Sequence, residues 1–165
     1  MKETAPSEIR IGQDEDSISA ATLLEKLEKT PRSDEPGETV SDITTEVEAS
    51  LFGSEQFSYE RAQVLSSLEE VLVSLIVLQN RDPNGKQLLD TLAEDLDITL
   101  SPGTVYPRLV ALCEDDLLKR RELVKTIEYR FDDSDKARSN VAAAARQHLA
   151  LGLLFRTVVE QGDFV

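Results

Sequence analysis

The residue types that most often carry catalysis are rare in this chain, which has one His and one Cys among 165 residues. His148 and Cys113 fall in separate predicted helices, at a spacing that suggests no catalytic dyad. The run Asn84-Gly85-Lys86-Gln87 lacks the upstream glycine of a phosphate loop and has Gln where Ser or Thr is needed. The acidic run 114–116 is more typical of a solvated face than of a cation site. We therefore expect no enzyme, no metal site and no cofactor.

The two single residues have structural interpretations. Cys113 is expected on the apolar face of its helix as a small buried hydrophobe, because a redox thiol needs exposure and a lowered pKa. One cysteine also makes no internal disulfide, which fits a reducing cytoplasm. His148 is expected at a surface or an interface, and a pH-dependent or metal-binding role is the alternative.

Another set of side chains suits DNA recognition. Ser101, Thr104 and Arg108 recur on one side of a predicted helix, and hydroxyl and guanidinium groups bond base edges and phosphates. Tyr106 either packs in the core or contacts the DNA backbone. Phosphate contacts are expected from five basic residues that follow: Lys119, Arg120, Arg121, Lys125 and Arg130. The alternative for this basic cluster is a solvated hairpin face.

The overall charge argues against DNA binding unless it is explained. The chain has 32 acidic and 18 basic residues, a net charge of −14 and a pI near 4.5. DNA-binding domains are normally basic, because phosphate contacts drive their affinity. Either the protein comes from a halophile, where molar salt screens charge within about 3 Å, or it binds something else. Arg outnumbers Lys, eleven to seven, which resembles halophilic proteins.

The stretch from Leu100 to Phe131 predicts a helix followed by a hairpin. Ser101 is expected to cap the helix and Pro102 to occupy its first position. Its apolar face comprises Val105, Leu109, Leu112 and Cys113, and Pro107 is expected to bend or loosen it. Ile127, Tyr129 and Phe131 then alternate with polar residues, as in a half-buried strand, and Leu117 to Arg121 form its partner. This order is the outline of a winged helix-turn-helix.

These residues also resemble a known family. The run SPGTVYPRL from Ser101, followed by an acidic cluster and Leu117-Leu118, is similar to the recognition helix of PadR-type transcriptional regulators. Tyr129-Arg130 resembles their wing and Gly85 the glycine that opens their second helix, so the resemblance covers about residues 58–131. The chain departs from the family pattern at three places. Lys86 stands where the family usually has an aromatic residue, and Asp116 stands where it usually has the glycine before the wing. Residues 132–135 replace the Thr-containing segment that usually follows the wing.

Two further helices are expected upstream of this stretch. Ser58 to Gln79 reads as one helix, capped by Ser58, with Phe57 and Ala62 placed for a hydrophobic staple. Asn84 is expected to cap the next helix, with Gln87 as its capping-box partner. The inner face of that helix is expected to comprise Leu88, Leu89, Leu92 and Leu96.

Residues 1–57 hold fourteen acidic and only five basic residues, which predicts an acidic and largely disordered extension. Within it, residues 20–29 have the pattern of a short amphipathic helix around Leu23, Leu24 and Leu27, and Val40 to Phe52 is a second candidate. The alternative to a solvated tail is a segment that docks on a partner, or an acidic arm that competes with DNA for the wing.

Residues 132–165 are expected to form a helix, from Asp133 to Gln161, that makes a homodimer. A terminal helix this apolar needs a partner surface, and a two-fold dimer is the commonest solution. The predicted interface residues are Leu149, Leu153, Phe155 and Val158. The PadR resemblance implies the same arrangement, because that family dimerises through its C-terminal helix with help from the first helix.

The sequence thus predicts a mainly α fold with a small β-hairpin wing, in which residues 58–131 form the DNA-binding domain. The expected function is a cytoplasmic, dimeric, sequence-specific regulator of transcription, PadR-like and haloarchaeal, that binds double-stranded DNA and has no membrane association. An effector ligand is left open. The alternative is a dimeric winged-helix adaptor that binds proteins and has no specific affinity for DNA.

Overall fold

The computed structural model describes residues 39–79 and 81–163. They form six helices and one two-stranded antiparallel sheet, so the predicted mainly α fold with a small hairpin is confirmed. The predicted helix over residues 20–29 lies outside the described residues. In chain order the elements are α1 (Val40–Phe52), α2 (Arg61–Ser66), α3 (Leu68–Leu78), α4 (Gly85–Asp95), α5 (Pro102–Glu114), β1 (Leu118–Glu122), β2 (Ile127–Phe131) and α6 (Ser134–Gln161).

The core is a leucine cluster at the junction of α3, α4, α5 and β1. Each fully buried side chain of this size stabilises the fold by about 1.5–3 kcal/mol relative to exposure. The described residues include no buried polar or charged side chain, so the core of this part of the chain is held by apolar packing. The largest fully buried side chains are Leu72, Leu88, Leu92, Leu109, Leu112 and Leu118.

The single helix predicted over 58–79 is wrong, because the chain breaks at Ser67 into α2 and α3. The Ser66 hydroxyl donates to the Gln63 carbonyl at 2.7 Å, and the Ser67 N–H bonds Val64 three residues back. Such local bonds compete with the helical pattern. Ser58 is not the N-cap, since α2 starts after Glu60.

The predicted hydrophobic staple paired Phe57 with Ala62, whereas the ring contacts of Phe57 in the structure are with two aromatic residues. Its ring stacks on Phe52 of α1 with centroids 4.2 Å apart, and its edge contacts Tyr59 at 5.1 Å. Because Phe52 is the last residue of α1, the ring pair ties that helix to the segment before α2.

The candidate helix over Val40–Phe52 is present as α1. Thr39 and Asp42 form a capping box at its start, and it ends at Gly53, whose φ of 58° favours glycine. Val40 is buried and α1 contacts α4. Packed structure therefore begins upstream of the predicted domain boundary at Ser58, within the predicted extension.

The turn between α4 and α5 sets these helices against each other. Asn84 and Gln87 form the predicted capping box of α4, with both bonds at 2.9 Å. After α4, Asp97 adopts a φ of 55° and the Ile98 N–H returns to the Leu92 carbonyl. Ser101 is the N-cap residue of α5, but its hydroxyl makes no capping bond, so that part of the prediction is wrong.

The hairpin follows α5 directly. The partners across it run from Leu118 with Phe131 to Glu122 with Ile127. Asp116, where PadR-type regulators usually have glycine, has a φ of 56°, a left-handed conformation that Asp tolerates better than most residues. The Tyr129 N–H also donates to the Pro83 carbonyl at 2.9 Å, so β2 is bonded to the segment that precedes α4.

The last helix, α6, is the predicted terminal helix. Asp133 caps it by accepting from the Lys136 N–H at 2.9 Å, as expected. It packs on α3, and only Ala137 among its described residues is fully buried. Farther along, the Ser67 hydroxyl lies 2.9 Å from His148 Nε2. No helix in the described ranges has the length and apolar character needed to cross a membrane.

Candidate nucleic-acid interface

The start of α5 presents a small polar face. Ser101, Thr104 and Arg108 are three and four residues apart, a spacing that places them on one side of a helix. The hydroxyl oxygens of Ser101 and Thr104 are 3.1 Å apart. Ser101 and Arg108 are exposed, and Thr104 is half-buried. The fold therefore brings these three predicted residues together.

Arg108 has an ionic partner from another helix. Its Nη1 lies 3.0 Å from Glu69 Oε1 of α3, and both side chains remain partly exposed. Exposed ion pairs of this kind contribute about 0–1 kcal/mol, so a competing anion or base exchanges for the carboxylate at low cost.

Tyr106 is fixed by its contact with Gly85. The ring lies so close to the glycine Cα that a Cβ there would overlap ring atom Cε1 and would stand 2.8 Å from Cζ. The side chain stays 39% exposed. The ring therefore packs on the first turn of α4 and keeps one edge at the surface, on a different side of α5 from Ser101, Thr104 and Arg108.

The predicted wing residues divide between the two faces of the hairpin. Arg120 pairs with Tyr129 across the strands, so it shares a face with the buried residues, and its charge acts on the Cys113 thiol of α5. Lys119 and Arg121 alternate with it, and Arg130 is the cross-strand partner of Lys119. The basic cluster is therefore two groups rather than one patch.

Carboxylates already neutralise much of this cluster. Lys119 forms an ion pair with Asp132, Arg120 contacts Glu122 at 3.0 Å, and Arg121 contacts Glu128 at 2.9 Å. By contrast, Lys125 and Arg130 have no ion pair with any residue in ranges 39–79 and 81–163.

The hairpin turn has an apolar tip that sequence reasoning missed. Leu123 and Val124 precede Lys125, and the Leu123 N–H closes the turn on the Thr126 carbonyl at 2.8 Å. Val124 is fully exposed, while Leu123 and Ile127 are 43% and 37% exposed. The sequence contains a signal for this tip, because Leu123, Val124 and Ile127 are apolar residues around a predicted turn, where polar residues are usual.

His148 lies at the surface, as expected, whereas Cys113 packs against the core but is only half-buried rather than buried. Burial raises the pKa of the half-buried Cys113 thiol, the nearby Arg120 opposes the shift and Glu114 adds to it. A thiol with a raised pKa is a poor nucleophile and a poor redox sensor. His148 contacts the Ala144 carbonyl through Nδ1 at 2.8 Å and Ser67 through Nε2, so its ring connects α6 to the break between α2 and α3.

The predicted dimer residues do not share one face of α6. Leu149 and Val158 are nine residues apart, which is about 180° around a helix. Leu149 and Leu153 are half-buried, whereas Phe155 and Val158 are 60% and 46% exposed. The exposed apolar side chains form a stripe, hereafter the α6 stripe, of Leu151, Leu154, Phe155, Val158 and Val159.

Sequence comparisons connect the chain with three proteins of salt-loving archaea. It is 29% identical to the transcriptional activator GvpE of Haloferax mediterranei over 128 residues, which cover 75% of this chain and 66% of that protein. It is 33% identical to the activators GvpE1 and GvpE2 of Halobacterium salinarum over 98 and 92 residues. The chain thus spans between 47% and 66% of the length of these relatives.

Two other comparisons found no similar protein. No protein-family model matches the chain, so the resemblance to PadR-type regulators stays a prediction. No solved structure matches either.

Proposed function

We propose that this chain is a haloarchaeal regulator of transcription that binds DNA as a homodimer through a winged helix-turn-helix. The observation that carries the proposal is the order of α4, α5 and the hairpin, with Tyr129 of β2 bonded back to Pro83 before α4. That arrangement is compatible with a helix-turn-helix followed by a wing, and it supports the proposal. The three similar proteins are named transcriptional activators, which supports the part of the proposal that concerns regulation of transcription.

In this proposal α5 enters the major groove. Arg108 reads a base edge after leaving Glu69, and its guanidinium group suits guanine O6 and N7. Thr104 and Ser101 lie about one and two turns nearer the N-terminus of the helix and bond bases or phosphates. The exposed edge of Tyr106 contacts the adjacent DNA backbone.

The hairpin is the wing and contacts phosphates. Lys125 at its tip and Arg130 on β2 are the first candidates, because neither is paired within the described ranges. Lys119, Arg120 and Arg121 join them by exchanging carboxylates for phosphates. Because this exchange replaces one anion by another, it adds little long-range attraction between protein and DNA. Little is needed in molar salt, where charges separated by more than about 3 Å are screened.

The α6 stripe would form the two-fold interface. Five exposed apolar side chains on one side of a helix need cover in water. Two copies related by a two-fold axis would place two α5 helices on successive turns of DNA, so the operator would be close to palindromic.

Selection of binding sites from random DNA by the full chain, at molar KCl, tests this function. The expected result is one enriched, near-palindromic motif. Arg108→Ala should lose preference at one position, with a cost of about 1–3 kcal/mol for the cognate base. The matched control is Arg61→Ala on α2, a residue that belongs neither to α5 nor to the hairpin and should select the same motif.

Two outcomes would overturn the proposal. One is that no motif is enriched although circular dichroism shows a folded chain. The other is that Arg108→Ala selects the unchanged motif with unchanged affinity, because α5 would then not be the reading helix.

A second candidate function is a protein-interaction module. The apolar hairpin tip at Leu123 and Val124, together with three ion-paired basic residues on β1, suits a protein surface better than a phosphate backbone. Val124→Asp distinguishes the two functions. It should weaken association with a protein partner strongly and change the selected DNA motif little.

A further inference from the structure

A groove runs between three helices and the end of the hairpin. It encloses about 790 Å³, and its floor is apolar. The side chains of the floor come from α1, α3, β2 and α6, namely Ile43, Ile76, Val77, Phe131 and Val141. Val77 is 59% exposed although it belongs to this apolar lining. An apolar floor this open to water is a site for an apolar occupant.

The described chain enters the fold beside this groove. Ile43 lies in the first turn of α1, and α1 starts at Val40. Residues 1–38 precede it, so any segment a few residues upstream of Thr39 has the groove within reach. Nine residues separate Thr39 from Lys29, and that length spans up to about 30 Å when extended.

The upstream sequence contains an apolar face of the right size. Leu23, Leu24 and Leu27 follow Ala20 at spacings of three, four and seven residues, which places all four on one side of a helix. A face of three leucines is about one-and-a-half turns long. Together with Ala20, these leucines would face a floor of five apolar side chains from four elements.

Charge also favours this occupant. Arg81, Arg130 and Arg138 stand around the groove together with Asp82 and Asp135, in a chain whose net charge is −14. Residues 1–38 hold ten acidic and five basic residues, and acidic groups flank the leucines at 14–16 and at 34–38. An apolar segment with acidic flanks thus fits an apolar floor bordered by arginines.

We propose that the segment 20–29 of this chain occupies the groove between α1, α3 and α6, with Leu23, Leu24 and Leu27 against Val77 and its neighbours. The acidic flanks then lie beside the arginines at the rim. Because Arg130 is one of these arginines, an occupied groove also covers part of the hairpin's basic surface. The segment is therefore an internal ligand of the fold.

Cross-linking in the full chain tests the placement. In a Cys113→Ser background, Leu24→Cys is combined with Val77→Cys in the groove, or with Val47→Cys as the control. Val47 is also exposed, at 42%, but it does not line the groove. A short bismaleimide should link the groove pair within one chain at least about tenfold faster than the control pair, since docking raises the local concentration.

Mixed ¹⁴N and ¹⁵N chains identify the origin of each cross-link by mass. Cross-links within one chain support the proposal. Equal rates for the two pairs would overturn it. Links only between chains would also overturn it, because the occupant would then be a second copy.

A thermal double-mutant cycle gives an independent readout in the full chain. Leu24→Asp and Val77→Asp should each lower Tm, and the double variant should lower it no further than the larger single effect, because both remove one contact. Leu24→Asp with Val47→Asp should give additive shifts. Additive shifts for the groove pair, or a Val77→Asp variant with an unchanged Tm, would overturn the proposal.

Discussion

Arg108 Nη1 of α5 lies 3.0 Å from Glu69 Oε1 of α3, so a carboxylate of the fold holds the side chain proposed to read DNA. The two residues are 39 positions apart in the chain. The pair has two effects. It orients the guanidinium group, and in the proposed complex with DNA it would make each base compete with a carboxylate. A base that offers two acceptors competes better than one that offers a single acceptor.

Glu69→Gln should therefore raise affinity for all DNA sequences and reduce discrimination at the position that Arg108 reads. The expected change in discrimination is about 1 kcal/mol, the scale of an exposed ion pair. Competition binding with cognate and singly mismatched duplexes measures it. Glu70→Gln, the neighbouring carboxylate on α3, is the matched control and should leave discrimination unchanged. Equal discrimination in Glu69→Gln and the parent chain would show that the ion pair plays no part in reading.

Gly85→Ala should destabilise the fold by about 1–3 kcal/mol, because the added methyl group overlaps the Tyr106 ring and forces it to move. Urea unfolding at fixed salt measures the change. Gly152→Ala is the control, since a Cβ there meets no atom within 4 Å and α6 gains about 0.5–1 kcal/mol from the better helix former. Adding Tyr106→Ala to Gly85→Ala should remove the clash. If Gly85→Ala proves as stable as the parent, the close packing described for this ring is incorrect.

Phe155→Asp combined with Val159→Asp should convert the proposed dimer to a folded monomer. Both side chains belong to the α6 stripe and are 60% and 72% exposed, so the change removes little from the core of one chain. Light scattering at working salt, with circular dichroism for the fold, measures the outcome. Val47→Asp on α1 is the control and should stay dimeric. A parent chain that is monomeric at micromolar concentration would refute the interface.

Acid should loosen α1 before the rest of the fold. Hydrogen bonds from the Thr39 side chain and backbone lower the pKa of Asp42 below its usual 3.8. A lowered folded-state pKa stabilises the fold above the unfolded pKa, and this stabilisation is lost as pH falls through the folded value. In the parent chain, amide exchange in the first turn of α1 should accelerate below about pH 4. Asp42→Asn should remove that dependence, and an unchanged pH profile in this variant would contradict the role of the capping box.

Local patterns predicted much of this fold, and long-range contacts account for what they did not predict. The capping box of Asn84 and Gln87, the alternation around Tyr129 and the bounds of α1 and α6 all follow from neighbours within a few residues. The break at Ser67 did not follow, because the apolar stripe of residues 58–79 continues through it.

The residue types of the candidate site could be predicted from the sequence, but their ion-pair partners could not. The residue types on α5 and the hairpin were read from the sequence. The partner of Arg108, by contrast, comes from a different helix, and the partner of Lys119 follows the second strand. No spacing rule connects such pairs, so a basic cluster in the sequence became a largely neutralised surface in the fold.

Beyond His148, the C-terminal part of α6 forms a long arm. The ring of His148 is the last described bond between that helix and the α2–α3 break, and the helix continues to Gln161. That arm is about 20 Å long, so tilting it by about 10° moves its end by about 3.5 Å. In the proposed dimer, the same tilt changes the separation of the two α5 helices. The spacing between half-operators would then depend on how α6 packs on α3 and on the hydrogen bond between His148 and Ser67.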